Sequence, residues 1–292
     1  MHIRPFQRPD DLPLVLGFLE AVEAATGVPP LGESKFVDLA GPGEGSGLIG
    51  GGAAISAYVY VLDHPASRLT EMELVAAPDA TDEELTSMVE AVADQAEQRL
   101  LWWTFGETRA ASFAAGRMPT FRTLHKLTGS LPIAEPPPIL TEVRVAGFRP
   151  GVDDDVWLAV NNAAFSGHPE NGAWTQADLD LRLGRDWFDP DGFRLTWVGE
   201  QLAGFCWTKR HGEEAGEIYV VAVDPAFQGR GLGRLIVLEA LWYLANVGCT
   251  NAHLYVDTAN ESALELYQSL GLSLARVDRC FEVPKDWPQD PQ

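Results

Sequence analysis

Apolar and polar positions along the chain fall into two similar series. Ile3-Arg4-Pro5 precedes Asp10-Asp11 and an apolar-periodic stretch from Leu12 to Ala25. Phe148-Arg149-Pro150 precedes Asp153-Asp154-Asp155 and a second such stretch, Val156 to Phe165. Each reads as a strand, an acidic helix start and a helix, because acids suit the positive end of the helix dipole. Two strands and a longer one ending at proline follow in each series. They are Leu48–Gly51, Ile55–Leu62 and Leu69–Pro78, then Phe193–Gly199, Leu202–Arg210 and Glu217–Pro225. Next come a long helix (Asp82–Leu100; Arg234–Val247), a strand (Leu101–Phe105; His253–Asp257), a short helix (Arg109–Arg117; Ser262–Leu270) and a last strand. Pro78 and Pro225 lie 225 − 78 = 147 positions apart, and self-similarity of this kind marks a duplicated architecture. Between the copies, Ala134-Glu-Pro-Pro-Pro-Ile139 cannot continue a helix or strand and reads as a stiff linker. The predicted class is α/β with a mixed sheet (α+β), in two tandem domains, 1–133 and 140–292.

Composition narrows the possible partners. The 292 residues are 46% hydrophobic with nine tryptophans, enough to bury a real core. Lys plus Arg is 21 and Asp plus Glu 42, a formal charge of −21. So acidic a body repels a phosphate backbone, so no nucleic-acid partner is expected, and a nucleotide cofactor needs a local positive site. Three cysteines without a CxxC point to a reducing cytoplasm. The first residues have no apolar signal region, and the longest apolar stretch, near Leu235–Val247, is too short for a bilayer. The six histidines form no HxH or HxxxH pair, so no metal is expected. A monomer without membrane contact is the expectation.

The segment Gly216 to Arg234 carries the chemistry. An apolar strand runs into Val223-Asp-Pro-Ala-Phe-Gln228-Gly-Arg-Gly231-Leu-Gly233-Arg234, and this turn opens an apolar helix. Glycines let backbone N–H groups converge, the helix end adds its dipole, and Arg230 and Arg234 add charge. The bare pattern Gln/Arg-x-x-Gly-x-Gly/Ala arises by chance about 0.3 times in a chain this long, so context carries the weight. That context includes Asn260-Glu-Ser262-Ala263, followed by Tyr267 and Gly271, after the strand His253–Asp257. Asn260 reads as an N-cap, Tyr267 lies two turns on along the same face, and Gly271 is a terminator. By contrast, the GxGxxG match Gly45–Gly50 has no helix after it and reads as a hairpin entry. Trp102-Trp103 and Cys206 read as core.

Together these motifs resemble the Gcn5-related N-acetyltransferase family. The resemblance implies that acetyl-CoA is the cosubstrate. Its pyrophosphate would bind Gln228, Gly229, Arg230, Gly231, Leu232, Gly233 and Arg234, with Asn260, Ser262 and Ala263 alongside. The backbone of Val221, Ala222 and Val223 would hold the acyl-pantetheine arm, and Tyr267 would protonate the leaving thiolate. Further segments are similar to one tandem branch of the family: Val160 to Thr175, Trp187-Phe-Asp-Pro-Asp-Gly192, Trp207-Thr-Lys209, Leu254-Tyr255-Val256 and Gly27 to Glu33. That branch N-acetylates the cysteinyl amine of cysteinyl-glucosaminyl-inositol, the last step of mycothiol biosynthesis. The resemblance implies that Glu33, Glu170, Lys209, Glu217 and Tyr255 line the acceptor site and that Glu217 is the general base.

Two other readings remain open: a tandem acetyltransferase for another small polar amine, and a non-catalytic acyl-CoA sensor. The sensor reading expects loss of Glu217 or Tyr267, and both are present. The first half departs from the family pattern. Pro78 is followed by Asp79-Ala-Thr-Asp-Glu-Glu84, with no glycine turn and four carboxylates that repel a diphosphate. The first domain is therefore expected to be a degenerate copy without a cofactor loop, and the second domain the catalytic one.

Overall fold

The computed structural model describes residues 1–41, 43–65, 67–166 and 173–288. The elements in chain order begin with β1 (His2–Pro5), α1 (Leu12–Thr26), α2 (Glu33–Ala40), β2 (Ser46–Gly51), β3 (Ile55–His64) and β4 (Leu69–Ala76). Then come α3 (Asp82–Ala93), β5 (Arg99–Phe105), α4 (Arg109–Ala115), β6 (Thr120–Ser130), β7 (Val143–Gly147) and α5 (Asp154–Ala164). The remainder are α6 (Gln176–Leu183), β8 (Phe193–Val198), β9 (Gln201–His211), β10 (Ala215–Val223), α7 (Leu232–Asn246), β11 (Asn251–Asp257), α8 (Glu261–Ser269) and β12 (Ser273–Glu282).

By contacts the chain forms two compact units: unit 1 is Met1–His125 with Arg276–Gln292, and unit 2 is Lys126–Ala275. A cut at the triple proline differs from this division in two segments. In unit 1 the strand order is β1-β2-β3-β4-β5, completed by the C-terminal part of β12. That part runs antiparallel to β5, from Asp278↔Phe105 to Glu282↔Leu101. In unit 2 the order is β7-β8-β9-β10-β11, completed by the Lys126–Ser130 end of β6. The physical reason is edge protection: β5 and β11 are each the parallel strand at one side of a sheet, and each needs a hydrogen-bonding partner.

Within each unit the pattern is the same. Strands pair antiparallel except at one step, β4–β5 in unit 1 and β10–β11 in unit 2, which are parallel. A parallel step needs a crossover helix, and α3 and α7 supply it. In unit 2 the alternation of β9 separates the two faces. Cys206 joins the cluster under α7 with Ile236, Leu241 and Leu244, whereas Phe205 and Trp207 join Trp157 of α5. The Trp157 ring centre lies 5.3 Å from Phe193, 5.3 Å from Phe205 and 5.8 Å from Trp207, all edge-on. Such a cluster holds β9 rigidly from below and fixes where its next residues point.

Several local details differ from the pattern reading. The helix expected over Asp82–Leu100 ends at Ala93, since Asp94 to Gln98 offers no apolar face and Arg99 already begins β5. The short helices α2 and α6 bury only Leu39 and Leu179, too little for a periodic signal. The acidic helix starts serve arginines. Asp11 accepts from Arg4 at 2.6 and 2.7 Å, Asp153 from Arg149 at 2.7 and 3.0 Å, and neither side chain caps its helix.

Phe281, on β12, is fully buried in the unit 1 core with Trp102 and Phe113. Phe281→Ala is expected to cost about 3–5 kcal/mol, read as a lower urea midpoint. A loss below about 1 kcal/mol, the scale of a surface change, would show that β12 is not part of the unit 1 core.

Candidate active site

In unit 2 the parallel pairing of β10 with β11 runs from Ala215↔Asn251 to Ile218↔Leu254 and stops there. The pairing of β10 with β9 continues to Val223↔Gly204, after a bulge between Ile218 and Val220. The bulge twists β10 and lets its second half leave β11. Tyr219 to Val223 therefore presents a backbone edge without a β11 ladder.

Beyond Val223 the chain turns sharply. The Asp224 carboxylate accepts the Ala226 N–H at 2.7 Å, and Pro225–Phe227 makes one 3-10 turn. Gly229 (φ 73°) and Gly231 (φ 77°) both lie in the left-handed region, which costs a residue with a Cβ about 1–2 kcal/mol. The second glycine places the free N–H groups of the first α7 turn at the end of the splayed strands.

A cavity of about 540 Å³ fills the opening. The expected cofactor residues Val221, Ala222, Val223, Gln228, Gly229, Gly231, Leu232, Gly233, Asn260, Ser262 and Ala263 all line it, and so does Tyr267. Arg230 and Arg234 do not line it. The Arg230 guanidinium lies 5.0 Å from the Phe227 ring centre, and Arg234 is paired with Glu135 and donates to Ser269 Oγ at 2.7 Å. Asn260 caps α8, accepting the Ala263 N–H at 3.2 Å. Tyr267 follows on α8, 6% exposed, and burial, helped by Cys206 nearby, raises its phenol well above the ordinary range.

Lys209, Glu217 and Tyr255 lie on the α5 face of the sheet. Lys209 sits opposite Glu217 in the β9–β10 register, and His253 is beside Glu217 in the β10–β11 register. Glu217 is 8% exposed. Its Oε2 lies 2.6 Å from His211 Nε2 and 3.8 Å from His253 Nε2. The Lys209 ammonium is 5.0 Å from the Trp187 ring centre and 5.7 Å from that of Tyr219. Tyr255 is 41% exposed, and the Lys126 ammonium lies 5.6 Å from its ring centre. Glu33 is the exposed first residue of α2 and belongs to unit 1. Glu170 lies outside the described residues.

The sequence reading missed His211 and His253. Strand registry brings them to Glu217, and a search for close histidine pairs does not see registry. With Glu217 they offer donor atoms of zinc-ligand type within 4.8 Å of one another. One signal was available: His211 lies two residues past Lys209, on the same face of β9.

The unit 1 counterpart is built differently. Its turn, Asp79 to Thr81, carries no glycine, and Thr81 and Glu84 form a reciprocal capping box. The Thr81 hydroxyl takes the Glu84 N–H at 3.2 Å and the Glu84 carboxylate takes the Thr81 N–H at 2.9 Å, so local side chains use amides that would otherwise face an anion. The β4–β5 pairing ends at Glu73↔Trp103. The space beyond, lined by Val22, Val28, Pro29 and Pro30, has only about 20 Å³.

Below it lies a cluster of charges. Lys35 Nζ is 2.9 Å from Glu71 Oε2 and 3.8 Å from Glu73 Oε1. His64 Nε2 is 3.3 Å from Glu71 Oε2, without the alignment of a hydrogen bond. Burial disfavours the Glu71 carboxylate, but His64 and Lys35 outweigh it and hold the group at about 2. Glu73 is deeper: burial raises it to about 7, against the pull of Lys35 and the Gly32 N–H.

This fold has close counterparts among solved structures. A GCN5-related N-acetyltransferase from Sphaerobacter thermophilus matches with a TM-score of 0.74 at 18% identity, over 97% of this chain and 96% of that one. A tandem GNAT protein from the clavulanic acid biosynthesis pathway matches with a TM-score of 0.71 at 15% identity, over 99% of both chains. The Acetyltransferase (GNAT) family profile matches residues 157–272. Fold and cleft are thus those of a GCN5-related acetyltransferase in tandem form, a class that uses acetyl-CoA as cosubstrate. Relatives by sequence include the mycothiol acetyltransferases of Acidothermus cellulolyticus (36% identical, 97% of this chain and 94% of that one) and Thermobispora bispora (39%; 93% and 96%). That of Streptomyces scabiei is 38% identical over 91% of this chain and 90% of its own. The chain belongs to the mycothiol acetyltransferase family.

The buried charges of unit 1 give a pH prediction. Glu73 stands at about 7 in the folded chain against an ordinary 4.5. Between those values the folded chain holds a proton that the unfolded chain releases, so this group lowers stability as pH rises from 4.5 to 7. Glu73→Gln keeps the acceptor for Gly32 and removes that loss. It is expected to raise the unfolding midpoint more at about pH 8 than at about pH 5. An equal shift at both would show that Glu73 stays charged in the fold.

Proposed function

We propose that unit 2 transfers the acetyl group of acetyl-CoA to the cysteinyl amine of cysteinyl-glucosaminyl-inositol, completing mycothiol, and that unit 1 is a degenerate copy without a cofactor. The observation that carries this reading is the meeting of three features in one cavity: a glycine turn, a splayed strand edge and Tyr267. Kinship to mycothiol acetyltransferases supports the choice of acceptor. The cavity suits the cosubstrate in its polar parts. The α7 N-terminus and the amides of Gln228 to Gly233 would hold the diphosphate, Asn260, Ser262 and Ala263 would flank it, and the free edge of Val221 to Val223 would hold the amide-bearing arm. The cosubstrate supplies an activated acyl group as a thioester.

The chain's own residues move the protons. The acceptor amine is a nucleophile only when neutral, so a base must take its proton. Glu217 is a buried carboxylate directly opposite Lys209 in the strand register and serves as that base, directly or through a water. As the new C–N bond forms and the C–S bond breaks, the sulfur needs a proton. Tyr267 lines the cavity, and its burial keeps the phenol protonated at the pH of the reaction, as a general acid requires. Lys209 and Tyr255, on the same face as Glu217, would bind the acceptor. Three buried free cysteines, Cys206, Cys249 and Cys280, support a reducing cytoplasm as its place.

The direct test is a panel of amines with acetyl-CoA, following thiol release. Cysteinyl-glucosaminyl-inositol should turn over far faster than aminoglycosides or peptide N-termini, and comparable rates for all would overturn the acceptor assignment. On that acceptor Tyr267→Phe is expected to lower kcat by about 10²–10⁴ with little change in KM. A change in KM alone would make Tyr267 a positioning residue.

A further inference from the structure

The two copies of the fold share a contact that the sequence motifs do not include. His211 lies 211 − 64 = 147 positions after His64, the same offset as the two prolines. Each histidine ends the strand before the parallel step, β9 or β3, and each reaches a glutamate on the next strand. Glu71 plus 147 is 218, one beyond Glu217. The hairpin connections account for the difference: His64 pairs with Leu69, five positions on, and His211 with Ala215, four positions on, so Glu71 and Glu217 each lie two register steps beyond the histidine's partner, and the bulge after Ile218 restores the offset by Pro225. The pairs are thus topological equivalents, His64–Glu71 and His211–Glu217.

Their chemistry differs in a way that matters for a base. In unit 1 the near partner of the carboxylate is an ammonium, Lys35 at 2.9 Å, and the histidine makes only a 3.3 Å contact. A permanent charge beside the carboxylate favours its ionised form and so weakens it as a proton acceptor. Against the cost of burial, His64 and Lys35 together hold Glu71 at about 2. In unit 2 the short contact is to the imidazole, at 2.6 Å. An imidazole can donate this hydrogen bond as a neutral ring, which orients the carboxylate without a full charge beside it. His211 also stands on a well-fixed strand, two residues beyond Lys209 and four beyond Trp207, whose ring stacks on Phe193 at 4.2 Å.

We propose that His211 is a positioning residue for the acetyl transfer: its Nε2–H donates to Glu217 Oε2, fixes the carboxylate plane and leaves Oε1 to take the proton of the acceptor amine. This rests on the reading of Glu217 as the base. A free glutamate side chain rotates about three bonds, and holding a catalytic group in one geometry lowers the barrier rather than the binding constant. His253, 3.8 Å from the same oxygen, stands outside hydrogen-bond distance and is not assigned this role.

The test compares His211→Leu, His211→Gln and Glu217→Gln, with acetyl-CoA and cysteinyl-glucosaminyl-inositol as substrates. The Gln amide can place an N–H near the position of the imidazole Nε2, whereas Leu cannot donate. His211→Leu is expected to lower kcat by about tenfold or more, with KM for acetyl-CoA within about twofold. His211→Gln should recover most of the lost kcat. Equal loss in Gln and Leu, or a Leu variant with normal kcat, would overturn the proposal. If the Leu variant does not fold, His211→Asn replaces it, since its shorter amide falls short of Glu217 and should lose what Gln keeps. Glu217→Gln separates the two levels of the argument. Normal turnover there rejects the base itself, while a low rate there with full activity in His211→Leu rejects only the role of His211.

Discussion

Between β10 and β11 the backbone ladder ends at Ile218↔Leu254, and β10 goes on alone against β9 to Val223. An unpaired strand edge inside a folded unit leaves N–H and C=O groups without partners, which is costly unless something else takes them. The bulge at Tyr219 starts the divergence, the glycines at 229 and 231 turn the chain into α7, and Asn260 and Tyr267 of the next helix close the far side. Each of these features has a purpose only because the ladder stops. The opening they surround, about 540 Å³, is lined by the unpaired edge of β10 on one side and by the glycine turn and the start of α7 on another.

Unit 1 shows what the same plan becomes when the opening is filled. Its parallel ladder stops likewise, at Glu73↔Trp103, but Val22, Val28, Pro29 and Pro30 line the gap and little space remains. The turn that would hold phosphates carries a capping box, and the carboxylate matching Glu217 is bound to Lys35. Where unit 2 has an open edge, a glycine turn and Glu217 beside a histidine, unit 1 has packing, a cap and an ion pair. Such exchanges trade a site for stability.

Much of this was legible in the sequence, for identifiable reasons. The duplication showed because both halves repeat the same order of strand and helix patterns, at an offset that the prolines mark. The glycine turn and the Asn260–Tyr267 helix showed because both are local: a few adjacent residues dictate their backbone. The acidic turn of unit 1 was visible for the same reason. The sequence hid whatever depends on registry. His211 and His253 reach Glu217 across two strand pairings, 6 and 36 residues away in the chain. The filling of the unit 1 gap needs the loop at Val28 to meet β4 and β5. The C-terminal part of β12 completes the sheet of unit 1 beside β5, so a cut at the linker that looked complete in sequence separates a strand from its sheet.

The account turns on one open cleft in unit 2 and one filled cleft in unit 1. Calorimetric titration of the full chain with acetyl-CoA measures this most directly. The account predicts a single strong site per chain, which is lost when Gly231 is replaced by valine and unaffected when Val28 is replaced by isoleucine. Two sites of equal strength, or a single site that survives the change at Gly231, would contradict it.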